Sequence, residues 1–343
     1  MAELTVAAGL ARGLADLAIS KGAKETELLA AAGIARDALD DVDNRIAFSK
    51  YVALMRAGQK RANDPALALH YGETNDMARI SVVGLIAYAC ETMGEALAQI
   101  NRYGRLVVEF DGPKERFTVT QKDGALWGVD NRQNPNDFPE LTESTFARMI
   151  CGPRRFGVMQ LAKQVHVTHR APVYRAEYDR IFGCPITFEA GWNAVQMDPS
   201  ITSHRISVEP RYVFGILTER ADALLRELEN SKSTRGRVES LLLPILHKGD
   251  AGMDAVADKM GVSRQTLFRQ LKAEGVTFEK VLDELRHKLA LQYLKGKKVS
   301  VNETAYLVGF SEPAAFSRAF KRWTGTTPRD ARAANGGAHR ARA

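Results

Sequence analysis

Two stretches in the last third of the sequence repeat one pattern of alanine, glycine and serine, and this repeat restricts the fold more than any other feature. The stretches are "AVADKMGVSRQTLFRQLKAEGVT" and "ETAYLVGFSEPAAFSRAFKRWTGTT". Each contains Ala-x-x-x-Gly-apolar-Ser, first at Ala257 and again 48 residues later at Ala305. A repeat of this length predicts two copies of one small helical unit.

The spacing within each copy is typical of a helix-turn-helix. An alanine lets two helices cross closely, where a larger side chain would push them apart. Gly261 and Gly309 permit the left-handed turn that ends the first helix. Ser263 and Ser311 are predicted to cap the second helix through their hydroxyl oxygens. Pro313 falls in the first helical turn, where the missing N–H costs little.

The second helix of each unit divides into an apolar face and a polar face. Leu267 and Leu271 face inward in the first copy, and Phe316, Phe320 and Trp323 do so in the second. The other face carries side chains suited to DNA: arginine pairs with guanine, glutamine with adenine, and lysine with phosphate. The candidate DNA-binding residues are Arg264, Gln265, Phe268, Arg269, Lys272, Ser311, Ala314, Arg318, Lys321 and Arg322.

The distribution of charge supports a polyanion as partner of this region. From Lys248 to the end the chain has 18 basic and 10 acidic residues, a net charge of +8, whereas the remainder has −1. Between the two units runs "TFEKVLDELRHKLALQYLKGKK", with an apolar stripe that predicts a connecting helix; its members are Phe278, Val281, Leu282, Leu285, Leu289 and Tyr293. Such a helix would hold two recognition helices roughly 34 Å apart, one turn of B-DNA.

The rest of the chain predicts a mixed α+β domain. Helical periodicity covers most of residues 5–110, with Gly33 as a stop, and "RLVVEFDG", "ERFTVTQKDGALWGVD" and "KQVHVTHRAP" predict strands. "ISVVGLIAYAC" fits either a buried helix or a strand. "PRYVFGILTERADALLRELE" predicts a long helix whose apolar stripe is either core or a dimer seam, and "ENSKSTRGR" predicts a linker.

These patterns give four segments. We expect a domain at residues 1–205, a linker with a dimerisation helix at 206–234, an all-α domain with two helix-turn-helix units at 235–332, and a disordered tail at 333–343. No run approaches 18 apolar residues, so no membrane span is predicted, and no signal-peptide core is evident.

The C-terminal region resembles the DNA-binding domain of AraC-type (AraC/XylS) bacterial transcription regulators. The residues that carry the resemblance are "SRQTLFRQLKAEGVTFEKVLDELRHKLALQYL" and "VGFSEPAAFSRAFKRWTGTTPRDAR". Thr304 departs from the bulkier apolar residue usual in the family, which predicts a slightly looser second unit. Ala314 leaves base reading by the second helix largely to Arg318. The resemblance implies promoter DNA with direct repeats, RNA polymerase and a homodimer as partners.

The N-terminal half resembles the effector-sensing domain of a subset of AraC-type regulators that includes ornithine- and fatty-acid-responsive members, and differs from the cupin-barrel sensor. "LLAAAGIARDALDDVDNRIAFSKYVALMRAGQKRANDPALALHYGE" and "IFGCPITFEAGWNAVQMDPSI" carry this resemblance. It implies an unidentified small-molecule effector. Because a carboxylated ligand needs a cation and aromatic walls, we single out Arg79, Tyr88, Tyr103 and Trp127 as candidate effector-binding residues.

Enzyme and metal chemistry find little support. The three cysteines, Cys90, Cys151 and Cys184, form no CxxC pair and indicate free thiols in a reducing cytoplasm. Cys90 lacks the flanking glycines of a nucleophile elbow, so a buried thiol is favoured over a catalytic one. His166 and His169 lie three apart on a predicted strand, so they point to opposite faces and a shared metal is disfavoured. We therefore expect neither catalytic residues nor a cofactor.

The sequence thus predicts a cytoplasmic, sequence-specific DNA-binding transcription regulator controlled by an effector. An enzyme-like protein tethered to DNA and a ligand-independent DNA-binding protein are the alternatives.

Overall fold

The computed structural model describes residues 3–113, 115–122, 124–206, 211–248, 251–296 and 299–337. The chain divides into two compact units, Met1–Leu225 and Arg226–Ala343. The first combines helices with two sheets, and the second is helical in its described part. The predicted fold class, an α+β domain followed by an all-α domain, is confirmed.

The first unit begins with helices and places most of its strands later. Its helices are α1 (Ala8–Ser20), α2 (Glu25–Ala32), α3 (Phe48–Arg61), α4 (Leu67–Thr74), α5 (Val82–Tyr88), α6 (Met93–Val107), α7 (Pro139–Cys151) and α8 (Arg175–Phe182). Its strands are β1 (Thr5–Ala7), β2 (Arg45–Ala47), β3 (Phe117–Lys122), β4 (Ala125–Asp130), β5 (Ala162–His166), β6 (Ile186–Thr187) and β7 (Asn193–Met197). Helix α9 (Arg211–Lys232) crosses the division between the units.

The larger sheet has the strand order β3-β4-β7-β5-β6. All neighbours are antiparallel except β5 and β6, which run parallel. One apolar core joins the sheet to helices α4, α7 and α8 through buried side chains such as Phe146, Val165, Tyr178 and Val195. Strands β1 and β2 form a separate antiparallel pair.

Two local predictions in this unit are settled by the structure. The ambiguous stretch "ISVVGLIAYAC" is a helix, because Ser81 caps α5 by accepting the Val83 N–H at 3.2 Å. The predicted strand at "RLVVEFDG" is wrong: α6 continues to Val107, and Val108 makes only an isolated bridge with Val6. Leu106 and Val107 are buried on the apolar face of the helix, so tertiary packing outweighs the strand preference of β-branched residues such as Val107.

Charged groups are buried between the sheet and helix α7. Asp130 is held by two guanidiniums, from Arg116 at 2.9 Å and from Arg132 at 3.1 Å. Burial alone would raise the pKa of Asp130, but these two arginines hold it below its usual range. Since a buried carboxylate is tolerated only when it is paired, the trio fixes β4 against its neighbours.

Glu143 on α7 is buried, and none of the residues that the structure describes is its cationic partner. Its Oε1 accepts hydrogen bonds from Tyr178 Oη at 2.6 Å and from Tyr174 Oη at 2.9 Å. Burial raises its pKa to about 7, although the two tyrosines act in the opposite direction. This glutamate therefore holds a proton in the folded chain at pH values where an unfolded glutamate has lost it.

The second unit contains α10 (Thr234–Leu242), α11 (Met253–Lys259), α12 (Arg264–Ala273), α13 (Phe278–Gly296), α14 (Val301–Leu307), α15 (Pro313–Thr324) and α16 (Pro328–Gly337). Its described residues form one apolar core around α11 and α12 and another around α14 and α15. Helix α13 contributes to both, and its Leu289 packs against each. The predicted connecting helix is confirmed. Tyr293 of the predicted apolar stripe is exposed, however, and Ala290 and Leu294 are the residues of this part of α13 that pack in the second core.

Helices extend into the predicted linker and into the first residues of the predicted tail. In "ENSKSTRGR", residues up to Lys232 continue α9, and Ser233 caps α10 by accepting the Gly236 N–H at 2.9 Å. A Cβ at Gly236 would lie 1.8 Å from the Asn230 carbonyl oxygen, so only glycine allows this tight junction. Helix α16 continues to Gly337 into the predicted disordered tail. The remaining tail residues, 338–343, lie outside the described residues.

Replacing Glu143 with glutamine should change how stability depends on pH. Because the folded chain binds this proton more tightly than the unfolded chain, the free energy of unfolding falls as pH rises from about 4.5 to about 7. We expect Glu143→Gln to exceed the native chain in stability by roughly 1–3 kcal/mol at pH 8 and to match it near pH 5. Urea unfolding of the full chain across this pH range measures the difference. The exposed Glu189→Gln is the control, and an equal gap at both pH values would contradict the prediction.

Candidate nucleic-acid interface and candidate ligand cleft

The first helix-turn-helix unit, α11 and α12, has the geometry predicted from its sequence. Ala257 is 1% exposed where the helices meet. Gly261 has φ +67°, in the left-handed region. Ser263 Oγ accepts the Thr266 N–H at 3.1 Å and so caps α12. The side chains of Leu267 and Leu271 are buried in the first core, so they anchor α12 to its unit.

The second unit, α14 and α15, matches this plan with one correction. Ala305 is fully buried, Gly309 has φ +80°, and Pro313 is the first residue of α15. The predicted Ser311 cap is wrong, because Glu312 is the N-cap residue and no side chain caps the helix. Proline at the first helical position has no N–H and starts the helix one residue later than in the first unit. Ser311 is exposed just before this start.

Thr304 does not leave a polar gap in the second unit. Its side chain is fully buried, and its Oγ1 donates to the Ser300 carbonyl oxygen at 2.8 Å. Ser300 and Glu303 form a reciprocal capping box at the start of α14. The expected loosening therefore has no basis in the hydrogen bonding, since the hydroxyl is satisfied without a side-chain partner.

Helix α12 presents every predicted polar residue on its exposed face. Arg264, Gln265, Arg269 and Lys272 are exposed, and Phe268 is 51% exposed. Arg264 Nη1 pairs with Asp254 Oδ2 at 2.6 Å. Within the described part of the chain, Arg269 and Lys272 form no ion pair or side-chain hydrogen bond.

Helix α15 has an equivalent exposed face. Ala314, Arg318 and Lys321 are exposed, and neither of the two cations pairs with another described residue. Arg322 differs, because its Nη2 lies 2.8 Å from Asp283 Oδ2 on α13. Phe316 and Phe320 are buried as predicted, whereas Trp323 is half-buried. Arg318 therefore stands on α15 where Arg269 stands on α12.

Arg286 on α13 binds the turn between α14 and α15, a contact that no sequence pattern predicted. Its guanidinium donates to the carbonyl oxygens of Val308 at 3.1 Å and Gly309 at 3.0 Å, and lies 4.7 Å from the centre of the Phe310 ring. Burial lowers its pKa, and Asp283 opposes that shift. The only signal in the sequence is its position directly after Leu285 on the inward stripe, too weak to separate it from the exposed cations of α13.

A cleft of about 690 Å³ opens in the first unit beside α1, α4 and the short helix Met77–Arg79. It is lined by Gly9, Arg12, Gly13, Asp16, Leu17, Ser20, Val42, Tyr71, Thr74, Asn75, Asp76, Arg79 and Arg155. Arg79, a predicted effector residue, is in this lining. Tyr88 stands behind it, with its Oη donating to Asp76 Oδ1 at 2.7 Å. Two of the four predicted effector residues are thus at or next to one cleft.

The other two predicted effector residues lie elsewhere. Tyr103 is fully buried, and its Oη donates to Asp222 Oδ1 on α9 at 2.8 Å. Trp127 is buried in the sheet, where its ring centre lies 4.7 Å from that of His166 and 5.2 Å from that of Trp192. The structure does not bring the four residues together in one site.

The other residues considered for chemistry have structural contacts. Cys90 is fully buried with its Sγ donating to the Ile86 carbonyl oxygen, and burial raises its pKa to about 12. His169 contacts Tyr178 Oη at 3.0 Å. Among the residues described, no group of His, Cys, Asp and Glu has the arrangement of a metal site. Within the same ranges no helix is both long and apolar enough to cross a bilayer.

Known proteins with similar sequences follow the same plan. Residues 22–206 match the model of the arabinose-binding domain of AraC transcription regulator, N-term, and residues 256–334 match a helix-turn-helix domain. The ornithine utilization regulator of Pseudomonas aeruginosa is 27% identical over 97% of this chain and 97% of its own. The HTH-type transcriptional regulator VirS of Mycobacterium tuberculosis is 25% identical over 86% of each chain. The HTH-type transcriptional activator RhaS of Escherichia coli is 40% identical over 34% of this chain and 42% of its own.

Fold, paired helix-turn-helix units and these matches define a DNA-binding transcription regulator with an N-terminal ligand-binding domain. The first family model covers more than half of the chain. The chain belongs to the AraC family of transcription regulators.

Alanine substitutions at the two turn glycines should have unequal effects. Both glycines have positive φ, so an alanine at either costs roughly 1–2 kcal/mol in backbone strain. A Cβ at Gly309 would also lie 2.4 Å from the Leu246 carbonyl oxygen, whereas nothing lies within 4 Å of one at Gly261. We expect Gly309→Ala to lower the free energy of unfolding by about 1–3 kcal/mol more than Gly261→Ala. Urea unfolding of both full-length variants measures this, and equal losses would show that the second turn does not contact Leu246.

Proposed function

We propose that the chain reads promoter DNA through α12 and α15 and that an effector in the N-terminal unit controls this binding. The observation that carries the proposal is the pair of equivalent, exposed arginines, Arg269 and Arg318, on two helices that pack against one connecting helix. Neither arginine is paired with another residue that the structure describes. In this proposal residues 1–205 form the sensor, 206–234 connect it, and 235–332 bind DNA.

The exposed residues of α12 suit both base reading and backbone contact. Arg269 and Gln265 have the donors and acceptors that pair with guanine and adenine, and Phe268 offers apolar contact to a thymine methyl. Arg264 can reach DNA at the N-terminal end of α12 once it exchanges Asp254 for a base or phosphate. Lys272, further along the helix, suits phosphate. The first helix-turn-helix unit thus supplies most of the discrimination between DNA sequences.

The second helix-turn-helix unit has fewer side chains for DNA binding. Arg318 is the base-reading candidate of α15, while Ala314 and Ser311 permit close approach of the helix start to the groove. Lys321 suits phosphate because it is exposed and unpaired among the described residues. Arg322 starts from its ion pair with Asp283, so its contact with phosphate requires exchange of that partner.

The remaining partners follow from this role. Direct repeats in a promoter suit two similar units arranged along one chain, and RNA polymerase is the natural partner of a regulator bound there. A cytoplasmic location follows from the DNA partner. One relative is named an ornithine utilization regulator, which makes ornithine a first compound to test as effector. The open cleft in the N-terminal unit favours an effector-controlled regulator over a ligand-independent DNA-binding protein.

Helix α9 is the proposed homodimer contact. Tyr212, Val213 and Ile216 are 77%, 40% and 50% exposed. Their spacing places them on one face of the helix, and a second copy would cover such an apolar patch. We expect the chain to sediment as a dimer and Ile216→Glu to shift it toward monomer, with Glu219→Gln as the matched surface control. Unchanged sedimentation of Ile216→Glu would exclude this seam.

Alanine variants of two exposed cations test the proposed DNA face. Arg269→Ala should cost about 1–3 kcal/mol of operator affinity and relax preference at one base position, because a bidentate contact is lost. Lys321→Ala should weaken binding to all sequences alike and reduce the slope of log K against log salt by about one. Titration of the full chain against operator and mutated operators at several salt concentrations measures both.

Lys60→Ala, which removes one exposed charge from α3 in the first unit, is the control. If Arg269→Ala binds and discriminates like Lys60→Ala, α12 is not a recognition helix.

A further inference from the structure

The walls of the cleft in the first unit are held close by glycines of α1. A Cβ at Gly9 would lie 2.1 Å from the Ile80 carbonyl oxygen, and one at Gly13 would lie 2.7 Å from Asn75 Nδ2 and 3.0 Å from Tyr71 Oη. Larger residues at these positions would push α1 away from the short helix Met77–Arg79. The opening is therefore set by backbone packing and is preformed, as ligand sites usually are.

On the floor and one side of the cleft, the polar groups of Tyr71 and Asp76 already have hydrogen-bond or ion-pair partners within the protein. Tyr71 is buried, and its Oη donates to the Leu10 carbonyl oxygen at 2.7 Å. Asp76 accepts from Tyr88 Oη at 2.7 Å and from the Ala78 N–H at 3.0 Å, and pairs with Arg155 at 2.8 Å. Burial alone would raise the pKa of Asp76, but Tyr88 and Arg155 hold it below its usual range. Asp76 and Arg155 thus neutralise each other.

Two other guanidiniums of the same lining have no carboxylate partner among the described residues. Across the described residues, Arg12 and Arg79 make no ion pair or side-chain hydrogen bond. Other exposed arginines of this unit do pair with carboxylates, as Arg36 and Arg180 do at 2.7 and 2.8 Å. Asp16, one turn along α1 from Arg12, is the other charged residue of the lining without an ion pair in the described ranges. Apart from the neutral pair of Asp76 and Arg155, the described lining thus has two cations and one anion without a partner.

We infer that this cleft binds a small hydrophilic carboxylic acid, with its carboxylate held by Arg12 and Arg79. Guanidiniums bind carboxylates through parallel charge-assisted hydrogen bonds. The Asp16 carboxylate accepts a hydrogen bond from a hydroxyl or ammonium group of the same molecule. Its negative charge disfavours binding of a polyanion. The inference rests on the proposed function and names the ligand class and site of the effector.

The lining also sets the size and polarity of this ligand. Among the described lining residues, the aliphatic side chains are those of Leu17 and Val42, and the aromatic ring of Tyr71 adds further apolar surface. A long hydrocarbon tail would have little apolar surface to cover it, so a fatty acid is disfavoured. The cleft volume of about 690 Å³ accommodates a metabolite of amino-acid or hydroxy-acid size with water around it.

A defined panel of acids tests the inference on the full chain. The panel is acetate, succinate, L-malate, citrate, L-glutamate and L-ornithine, with decanoate and inorganic phosphate as contrasting ligands. We expect at least one hydrophilic carboxylate to raise the melting temperature and to bind saturably in calorimetry, and decanoate and phosphate to do neither. For that compound, Arg12→Ala and Arg79→Ala should each raise Kd at least about tenfold, because a charged partner is lost. Arg79→Lys should restore part of the affinity.

Arg170→Ala, which changes an exposed arginine outside the cleft, should leave Kd unchanged. Asp16→Asn should weaken hydroxy- or amino-acid binding more than binding of succinate. Three results would overturn the inference: no panel member binds, decanoate binds best, or the affinity of the best carboxylate is the same in the native chain and in both arginine-to-alanine variants.

One further experiment distinguishes an error in the cleft inference from an error in the proposed effector-controlled function. Operator affinity of the native chain and of the Arg12→Ala/Arg79→Ala double variant is measured with and without a small-molecule extract of the host cell. If the extract shifts both chains equally, the chain senses an effector at another site and the cleft inference is wrong. If the extract shifts neither chain, the effector-controlled function and the cleft inference both fail. A shift in the native chain alone supports both.

Discussion

The packing of α13 against two apolar cores is the constraint on which the DNA-binding unit depends. Phe278 and Val281 belong to the core of the first helix-turn-helix, Ala290 and Leu294 to the core of the second, and Leu289 packs against both. One helix therefore fixes the spacing and rotation of α12 relative to α15. Arg286 extends this control from the core to the second turn, since its guanidinium binds two backbone carbonyls there. The relative position of α12 and α15 is therefore set by their packing against α13.

In the first unit, buried charge has a comparable organising role. Asp130 with Arg116 and Arg132 joins the β3–β4 hairpin to the residues that follow it, and Glu143 with Tyr174 and Tyr178 joins α7 to α8. Burying such groups costs free energy unless their partners are in place, so these networks specify one arrangement of helices on the sheet. The cleft lies beside this framework, at the helices α1 and α4. Arg12 and Arg79 in its lining are exposed, which leaves them available to a ligand.

Much of the second unit was predictable because its signals are local. The alanine, glycine and serine of the first repeat each act within one turn of chain, and the structure places all three as expected. The Ser311 cap failed because Pro313 moves the start of α15 by one residue. The strand at "RLVVEFDG" failed because burial of Leu106 and Val107 on α6 depends on distant residues. Arg286 and the cleft are products of tertiary contacts, so no spacing in the sequence marks them, and only Arg79 and Tyr88 among the four effector candidates lie near one opening.

The most direct measurement of the central claim is the effect of operator spacing on affinity. Segments bound by α12 and α15 are first located by footprinting a selected operator, and then five or ten base pairs are inserted between them. If α13 holds the two helices as one body, both insertions remove the contribution of the second segment, because a fixed spacing cannot follow the longer site even when the groove returns to the same face. Recovery of full affinity with ten base pairs inserted would contradict the account, since it would show that the two units move independently.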